Sequence, residues 1–144
     1  PYSEFSYKKL VLMFQKEVAD RILAEENSKN YGRLSILSTW KLNVKKIMDI
    51  NPSSFFPKPK VMSSLLIFEP KINYIKFKNS KNLEHITNVF FNQRRKMIKK
   101  PLNILFENSK LVIDELNLDT NLRPQNLKKN TFYKICLIYE KLTN

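Results

Sequence analysis

Glycine is almost missing from this chain, and this restricts its possible folds and sites more than any other feature. The 144 residues include a single glycine, Gly32, where about 7% of residues is usual. Glycine-rich turns hold cofactor phosphates in the dinucleotide-binding G-x-G-x-x-G motif and in the P-loop, so this chain can form neither. We therefore expect no cofactor-binding residues in it. The sequence also starts without a methionine, and we expect it to be part of a longer protein.

The excess of basic residues predicts a polyanionic partner. Lysine and arginine number 26 against 13 acidic residues, a formal net charge of +13, while 42% of residues are hydrophobic and can form a buried core. One cysteine, Cys136, and one histidine, His85, exclude a disulfide framework and a zinc site made of several such ligands. No apolar run reaches the roughly 18 residues that span a bilayer, and the polar start does not resemble a signal peptide. We expect a cytoplasmic protein with no metal site and no membrane partner.

The residue pattern predicts a mixed α/β part followed by an all-α part. In the first part, short apolar runs indicate strands, and apolar residues at helical spacing indicate helices. The predicted strands are 10–14, 44–50 and 63–69, the first of them buried, and the predicted helices are 15–24 and 33–40.

Residues 75–144 are predicted to be helical throughout. Leu83, Ile86 and Phe90 recur at helical spacing, and the pattern continues to Ile98. Ser80 is the expected N-cap, and Pro101 is expected to end or bend this helix. Further helices are expected at 102–106, 111–116 and 131–142.

A basic run at 94–100 is the first candidate binding site. Its five cations are Arg94, Arg95, Lys96, Lys99 and Lys100. On one helix they would attract phosphate, which arginine can bind through two hydrogen bonds. The alternative is a solvated lysine-rich helix face.

Two loops are further candidates. Prolines stiffen the segment 51–59, which must be an extended loop, so Phe55 could be presented to a nucleobase at little entropic cost. The alternative is that Phe55 and Phe56 pack beneath the loop. Gly32 lies at a loop-to-helix junction, where either a left-handed backbone, a close backbone approach or a plain turn would account for it.

Five motifs, taken in order, resemble the KsgA family of small-subunit ribosomal RNA adenine dimethyltransferases. They are FQKEVADR at 14–21, YGRLS at 31–35, SSFFPKPKVMS at 53–63, FNQRRK at 91–96 and RPQNL at 123–127. Together they extend over nearly the whole chain.

The resemblance implies the C-terminal part of a Rossmann-like S-adenosylmethionine methyltransferase domain in residues 1–72. A small helical RNA-binding domain in 75–144 would follow. The family's glycine-rich turn and its catalytic Asn-Leu-Pro-Tyr motif are not found in the sequence, so catalytic, cofactor and metal residues are expected to be absent here. Pro1-Tyr2 is interpreted as a later loop, because it lies too near Gln15 to be the end of that motif.

Site residues follow from the same resemblance. The target adenine is expected to contact Phe55, Pro57, Pro59 and Lys60. Ribosomal RNA is expected to contact Arg21, Arg33, Lys58, Arg94, Arg95, Lys96, Lys99, Lys100 and Arg123. The sequence departs from the family at Met62, where aspartate is common, and at Lys58, where proline is common.

The implied parent is a monomeric enzyme that dimethylates two adjacent adenines of small-subunit ribosomal RNA, using S-adenosylmethionine, on the immature small ribosomal subunit. This part alone is expected to be inactive. The alternatives are a non-catalytic RNA-binding or ribosome-assembly module and a relative of transcription factor B with the same fold.

Overall fold

A computed structural model describes residues 6–143. Pro1-Tyr2, interpreted above as a later loop, lies outside the described residues. The strands are β1 (Leu10–Gln15), β2 (Leu42–Ile50) and β3 (Ser63–Pro70), and the helices are α1 (Lys16–Leu23), α2 (Arg33–Ser38), α3 (Lys81–Asn92), α4 (Lys99–Leu105), α5 (Ser109–Leu116) and α6 (Lys129–Leu142). The predicted order of a mixed part followed by a helical part is therefore confirmed.

The three strands form one antiparallel sheet in the order β1-β3-β2. Helix α1 packs on one face, where Ala19 and Ile22 contact Leu66 and Phe68 in a small core. Side chains alternate between the faces of a strand, so Val11 and its neighbours on the other face lie in solvent. The expectation that the first strand is buried is wrong within residues 6–143, because β1 is an edge strand and much of its apolar surface is exposed.

The helix predicted from Ser80 to Pro101 is two helices. Helix α3 ends at Asn92, a turn follows, and Pro101 is the third residue of α4. Proline is tolerated in the first helical turn because the N–H groups there have no intrahelical acceptor. Ser80 does not cap α3 through its side chain, and the Asn79 side-chain oxygen instead accepts the N–H of Lys81 at 3.0 Å.

A larger apolar core joins α2 and its flanking residues to the helices that follow the sheet. Tyr31, Ile36 and Trp40 belong to the same buried cluster as Phe90 and Phe132. The division into 1–72 and 75–144 stays a prediction, and this cluster extends across it.

Three long-range hydrogen bonds connect the same regions. The Tyr31 hydroxyl donates to the Leu127 carbonyl at 2.6 Å, and the Tyr133 hydroxyl donates to the Ile36 carbonyl at 2.8 Å. The Trp40 indole N–H donates to the Ile75 carbonyl at 2.6 Å. These three side-chain donors thereby each have an acceptor, as polar groups in a stable core require.

The buried Glu140 carboxylate holds the segment that leads into α3. Glu140 accepts the backbone N–H groups of Lys78 and Asn79 at 2.9 and 3.0 Å and the side-chain N–H of Asn82 at 2.7 Å. Burial raises the pKa of the Glu140 carboxyl, but these hydrogen bonds outweigh burial, and the net pKa lies below its ordinary value. The segment before α3 is therefore attached to α6 through a charged acceptor.

Two kinds of feature are absent from the described part of the chain. None of its helices is both long and apolar enough to cross a bilayer. Its histidine, cysteine and acidic side chains form no group of three that could hold a metal ion.

Candidate nucleic-acid interface

A positively charged groove of about 600 Å³ lies beside the single glycine. Its cations come from three separate stretches of chain: Arg21 on α1, Lys29 and Arg33 around the glycine, and Arg94 in the turn after α3. Glu17 is the one acidic residue that lines it, and its carboxylate pairs with Arg21 at 2.8 Å. We call this feature the basic groove; its net positive charge favours a polyanion.

Arg94 is held in place by backbone carbonyls. Its Nη1 donates to the Tyr31 carbonyl at 2.9 Å, and its Nη2 donates to the Lys29 carbonyl at 3.0 Å. The guanidinium carbon lies 6.0 Å from the centre of the Phe91 ring, within the range of a cation–π contact. Arg94 therefore shapes the loop 29–31 as well as contributing its charge to the basic groove.

Arg33 has a similar double role. As the first residue of α2, it reaches α3, where its Nη2 donates to the Glu84 carbonyl at 3.1 Å and its Nε donates to the Thr87 hydroxyl at 3.4 Å. These bonds orient the side chain along the wall of the groove. Its position thus depends on the packing of α2 against α3.

The backbone at Gly32 favours the plain-turn interpretation. Its φ of −175° and ψ of −157° are extended, so no left-handed conformation demands a glycine. An added Cβ would lie 3.7 Å from Arg94 Nη1 and 4.0 Å from Phe91 Cδ1, which are ordinary contacts. Gly32 therefore lines the groove, and backbone strain does not require a glycine at this position.

The other predicted RNA contacts lie outside the basic groove. Arg95, Lys96, Lys99 and Lys100 are exposed on the turn after α3 and on the first turn of α4. The expectation that the basic run lies on one helix is wrong, because the chain leaves the helix at Gln93. The turn instead separates Arg94, with its carbonyl partners, from the exposed cations.

Arg123 is also exposed, at the start of a short 3₁₀ turn. Its backbone N–H donates to the Asn126 side chain at 2.9 Å, and Asn126 in turn donates to Asn27 at 2.9 Å. The turn is thereby attached to the loop that precedes Tyr31. Lys29 is a groove residue that sequence reasoning missed, although its place two residues before the YGRLS motif could have indicated it.

The proline loop presents a different aromatic residue from the one expected. Phe56 is fully exposed, whereas Phe55 is half-buried. The interpretation in which both rings pack beneath the loop is therefore wrong for Phe56. The loop also contains a 3₁₀ turn at Pro52–Ser54, so it is not extended throughout.

The remaining predicted loop residues lie on the surface. Pro57, Lys58 and Lys60 are exposed, and Pro59 is half-buried. At the end of the loop, the Met62 carbonyl accepts the N–H of Lys16 at 2.9 Å, which joins the loop to α1. Met62 thus provides a backbone contact at the position where the family often has aspartate.

Three buried side chains, Tyr31, Tyr133 and Cys136, are unsuited to acid–base or nucleophilic chemistry. Burial raises the pKa of the Tyr31 hydroxyl, and it raises the pKa of Tyr133 to about 12. Burial also raises the pKa of the Cys136 thiol to about 12, which keeps the thiolate population low at neutral pH. The geometry therefore supports binding of an anion by fixed cations.

Comparison with known sequences gives a consistent result. The sequence model of the family described as "Ribosomal RNA adenine dimethylase" matches residues 2–141. A protein of Pelagibacter ubique named "Ribosomal RNA small subunit methyltransferase A" is 61% identical over 97% of this chain and 53% of its own length. A protein of Ehrlichia chaffeensis with the same name is 44% identical over 90% of this chain and 49% of its own length. The chain thus spans about half the length of these curated relatives.

Solved structures agree at the level of the fold. A dimethyladenosine transferase from Plasmodium falciparum superposes with a TM-score of 0.78 at 30% identity, over 94% of this chain and 58% of that one. The 23S rRNA methyltransferase ErmE superposes with a TM-score of 0.60 at 13% identity, over 93% of this chain and 55% of that one. The second likeness concerns the fold alone.

Proposed function

Because the chain belongs to the ribosomal RNA adenine dimethylase family, we propose that it is the RNA-gripping C-terminal part of an rRNA-modifying methyltransferase. The whole protein would transfer methyl groups from S-adenosylmethionine to two adjacent adenines of small-subunit ribosomal RNA. It would act as a monomer on the immature small subunit, in the cytoplasm. The observation that carries this proposal is the basic groove, which brings together Arg21, Arg33 and Arg94 from three of the family-like motifs.

The basic groove does not suit the methyl donor. S-adenosylmethionine carries a positive sulfonium, which the cations of the basic groove would repel. Glu17, the acidic residue of the groove, is already paired with Arg21. We therefore propose that the cofactor site lies in another part of the whole protein, and we expect this chain alone to bind no S-adenosylmethionine.

The proposed role of this chain is then to bind the phosphates of the RNA and so to position the RNA on the enzyme. Cations fixed by backbone carbonyls, as Arg94 is, lose little side-chain entropy when they meet a phosphate. Contacts to phosphates position a nucleic acid without reading its sequence. The choice of adenine would depend on the target base itself, which must leave its stack before methylation.

Phe55 is proposed to stack on the target adenine once the base is flipped out, with Pro57, Pro59 and Lys60 beside it. The support is the match of SSFFPKPKVMS to the family motif and the placement of the loop between β2 and β3. A base stacked on an aromatic ring is worth about 1–3 kcal/mol.

The groove is tested by charge reversal in the full-length protein. Lys29→Glu reverses the charge of an exposed groove cation, and Lys110→Glu makes the same change at an exposed position on α5. We expect Lys29→Glu to weaken binding to small-subunit particles and to lower the slope of log affinity against log salt by about 1 or more. Equal losses in the two variants would show that only net charge matters and would contradict the groove assignment.

The loop is tested by two neighbouring alanine variants of the full-length protein. Phe55→Ala is expected to slow single-turnover methylation by roughly tenfold or more while particle binding changes little, because stacking is realised only after the base is flipped. Phe56→Ala is the matched control, since it removes the same ring from the exposed neighbouring position. A methylation defect in Phe56→Ala alone would assign the stacking role to Phe56.

A further inference from the structure

A second surface near the basic groove combines apolar and cationic side chains in a way that phosphate binding alone does not require. An open hollow of about 500 Å³ is lined by Lys96, Met97, Lys99, Lys100, Asn103 and Ile104. Met97 is 55% exposed and Ile104 is 57% exposed. None of the six side chains is acidic. We call this feature the Met97–Ile104 patch.

The patch lies on a fixed surface. Ile98, next to Met97, is fully buried, and its backbone N–H donates to the Leu122 carbonyl at 2.8 Å. Pro101 and Leu102 bury the inner face of α4. Side chains four residues apart lie on one helix face, so Lys100 is beside Ile104 on the outer face. The hollow is therefore formed by α4 and by the end of a turn that the buried Ile98 anchors.

The chemistry of the patch favours one class of ligand. Single exposed apolar side chains need no explanation, but Met97 and Ile104 share one hollow with three lysines, and this combination suits a ligand with an apolar part and an anionic part. Lysine rims attract phosphate, and their aliphatic stems extend the apolar surface. An RNA nucleotide whose base is unpaired presents both an apolar face and flanking phosphates.

Resting on the proposed RNA-binding function, we propose that the Met97–Ile104 patch binds an unpaired nucleotide of the RNA at a site separate from the target adenine. The base lies against Met97 and Ile104, as aliphatic wedges contact unstacked bases in other complexes. The flanking phosphates meet Lys96, Lys99 and Lys100. Asn103, whose side-chain carbonyl accepts the Ser109 hydroxyl, keeps its amide N–H groups for the base edge.

The test uses the full-length protein and two fluorescent RNA hairpins that differ only by one bulged nucleotide. The unaltered protein is expected to bind the bulged hairpin about fivefold more tightly, because the base covers apolar surface that the paired hairpin cannot reach. Met97→Ser and Ile104→Ser should each reduce that preference and leave binding to the paired hairpin unchanged. Lys99→Ala should weaken binding to both.

Leu111→Ser is the matched control. Leu111 is 54% exposed on α5 and lies outside the patch, so the same kind of change there should leave the preference intact. Melting temperatures of all variants show whether each one is folded. A folded Ile104→Ser variant that keeps the full preference overturns the proposal.

Two other results also overturn it. If the unaltered protein binds both hairpins equally, the patch does not recognise an unpaired base. The separate proposal that the basic groove binds RNA is not affected by this result. If Ile104→Ser instead weakens binding of an acidic amphipathic peptide and leaves RNA binding unaffected, the patch belongs to a protein partner. Loss of all RNA binding, by contrast, would be a failure of the proposed function itself.

Discussion

Neighbouring residues of one basic run have different physical roles. Arg94 donates to two carbonyls more than 60 residues earlier in the chain, at 2.9 and 3.0 Å, whereas Arg95 is exposed beside it. The sequence predicted both as equivalent RNA contacts, because a run of cations contains no information about distant acceptors. The structure indicates that Arg94 has a positioning role in addition to its charge.

The two arginines can be separated by measurement. Arg94→Ala leaves the carbonyls of Lys29 and Tyr31 without these donors, and we expect it to lower stability by about 1–3 kcal/mol. Arg95→Ala should leave the melting temperature unchanged and reduce the salt slope of RNA binding by about 1. Thermal melting and salt-dependent binding of both variants check this. A stable Arg94→Ala variant would mean that loop 29–31 holds its shape without the guanidinium.

Exposure also distinguishes the two phenylalanines of the proline loop. Phe56→Ala removes a ring that is fully in solvent, so we expect the melting temperature to stay within about 2 °C of the unaltered protein, since surface changes are usually within about ±0.5 kcal/mol. Phe55→Ala should lower it more, because that ring is half-buried. Differential scanning calorimetry of both variants is the measurement. The reverse order of melting temperatures would contradict the described loop.

At the scale of elements, the local residue pattern predicted the three strands but did not predict the turn after α3. The three strands were predicted near their observed positions, because apolar runs of this length are typical of strands. The break after α3 was not predicted, since Met97 and Ile98 follow Phe90 at seven and eight residues, as in a continuous helix. A contact distant in sequence, the Ile98 N–H to the Leu122 carbonyl, accompanies the break.

The Glu140 carboxylate on α6, which accepts the N–H groups of the segment before α3, should make stability depend on pH. Because the hydrogen bonds hold the pKa of folded Glu140 below its ordinary value of 4.5, its stabilisation is fully present above about pH 4.5. It is lost as the pH falls through the lower, folded pKa. Glu140→Gln should lower the free energy of unfolding at pH 7 by about 2 kcal/mol and flatten the acid limb of the stability curve.

Denaturant unfolding of both proteins between pH 3 and 7 measures this effect. Glu115→Gln, at an exposed position on α5, is the matched control and should leave the curve unchanged. An acid limb that is equally steep in Glu140→Gln would show that other carboxyls are responsible.

At the scale of the whole molecule, one apolar core connects residues that the sequence assigned to different parts. Ile36 and Ile86 are both fully buried in it, although they lie on either side of the predicted division. Motif order and charge could suggest where RNA binds, but side-chain packing between α2 and α3 depends on contacts that no local pattern shows. For the same reason the sequence predicted Arg21, Arg33 and Arg94 as RNA contacts but not that they meet in one groove.

Because one core contains residues that are distant in sequence, substitutions at such residues should lower stability by similar amounts. Ile36→Ala and Ile86→Ala should each lower stability by about 2–5 kcal/mol. Since Trp40 lies in the same cluster and is the single tryptophan, its fluorescence and the far-ultraviolet signal of the helices should change together on heating. A fluorescence transition well before the loss of helix signal would show that the segment around α2 melts separately.

The cluster that contains Tyr31, Ile36 and Trp40 also determines which segments can be exchanged in a hybrid of two related proteins. A hybrid joined between residues 72 and 75 would place one parent's α2 against the other parent's α3 and α6, and mismatched volumes in a close-packed interior are costly. Carrying residues 24–40 together with the later helices keeps each interior surface with its native counterpart. The unit that should be exchanged as a whole is therefore discontinuous in sequence, and two strands, β2 and β3, lie between its two segments.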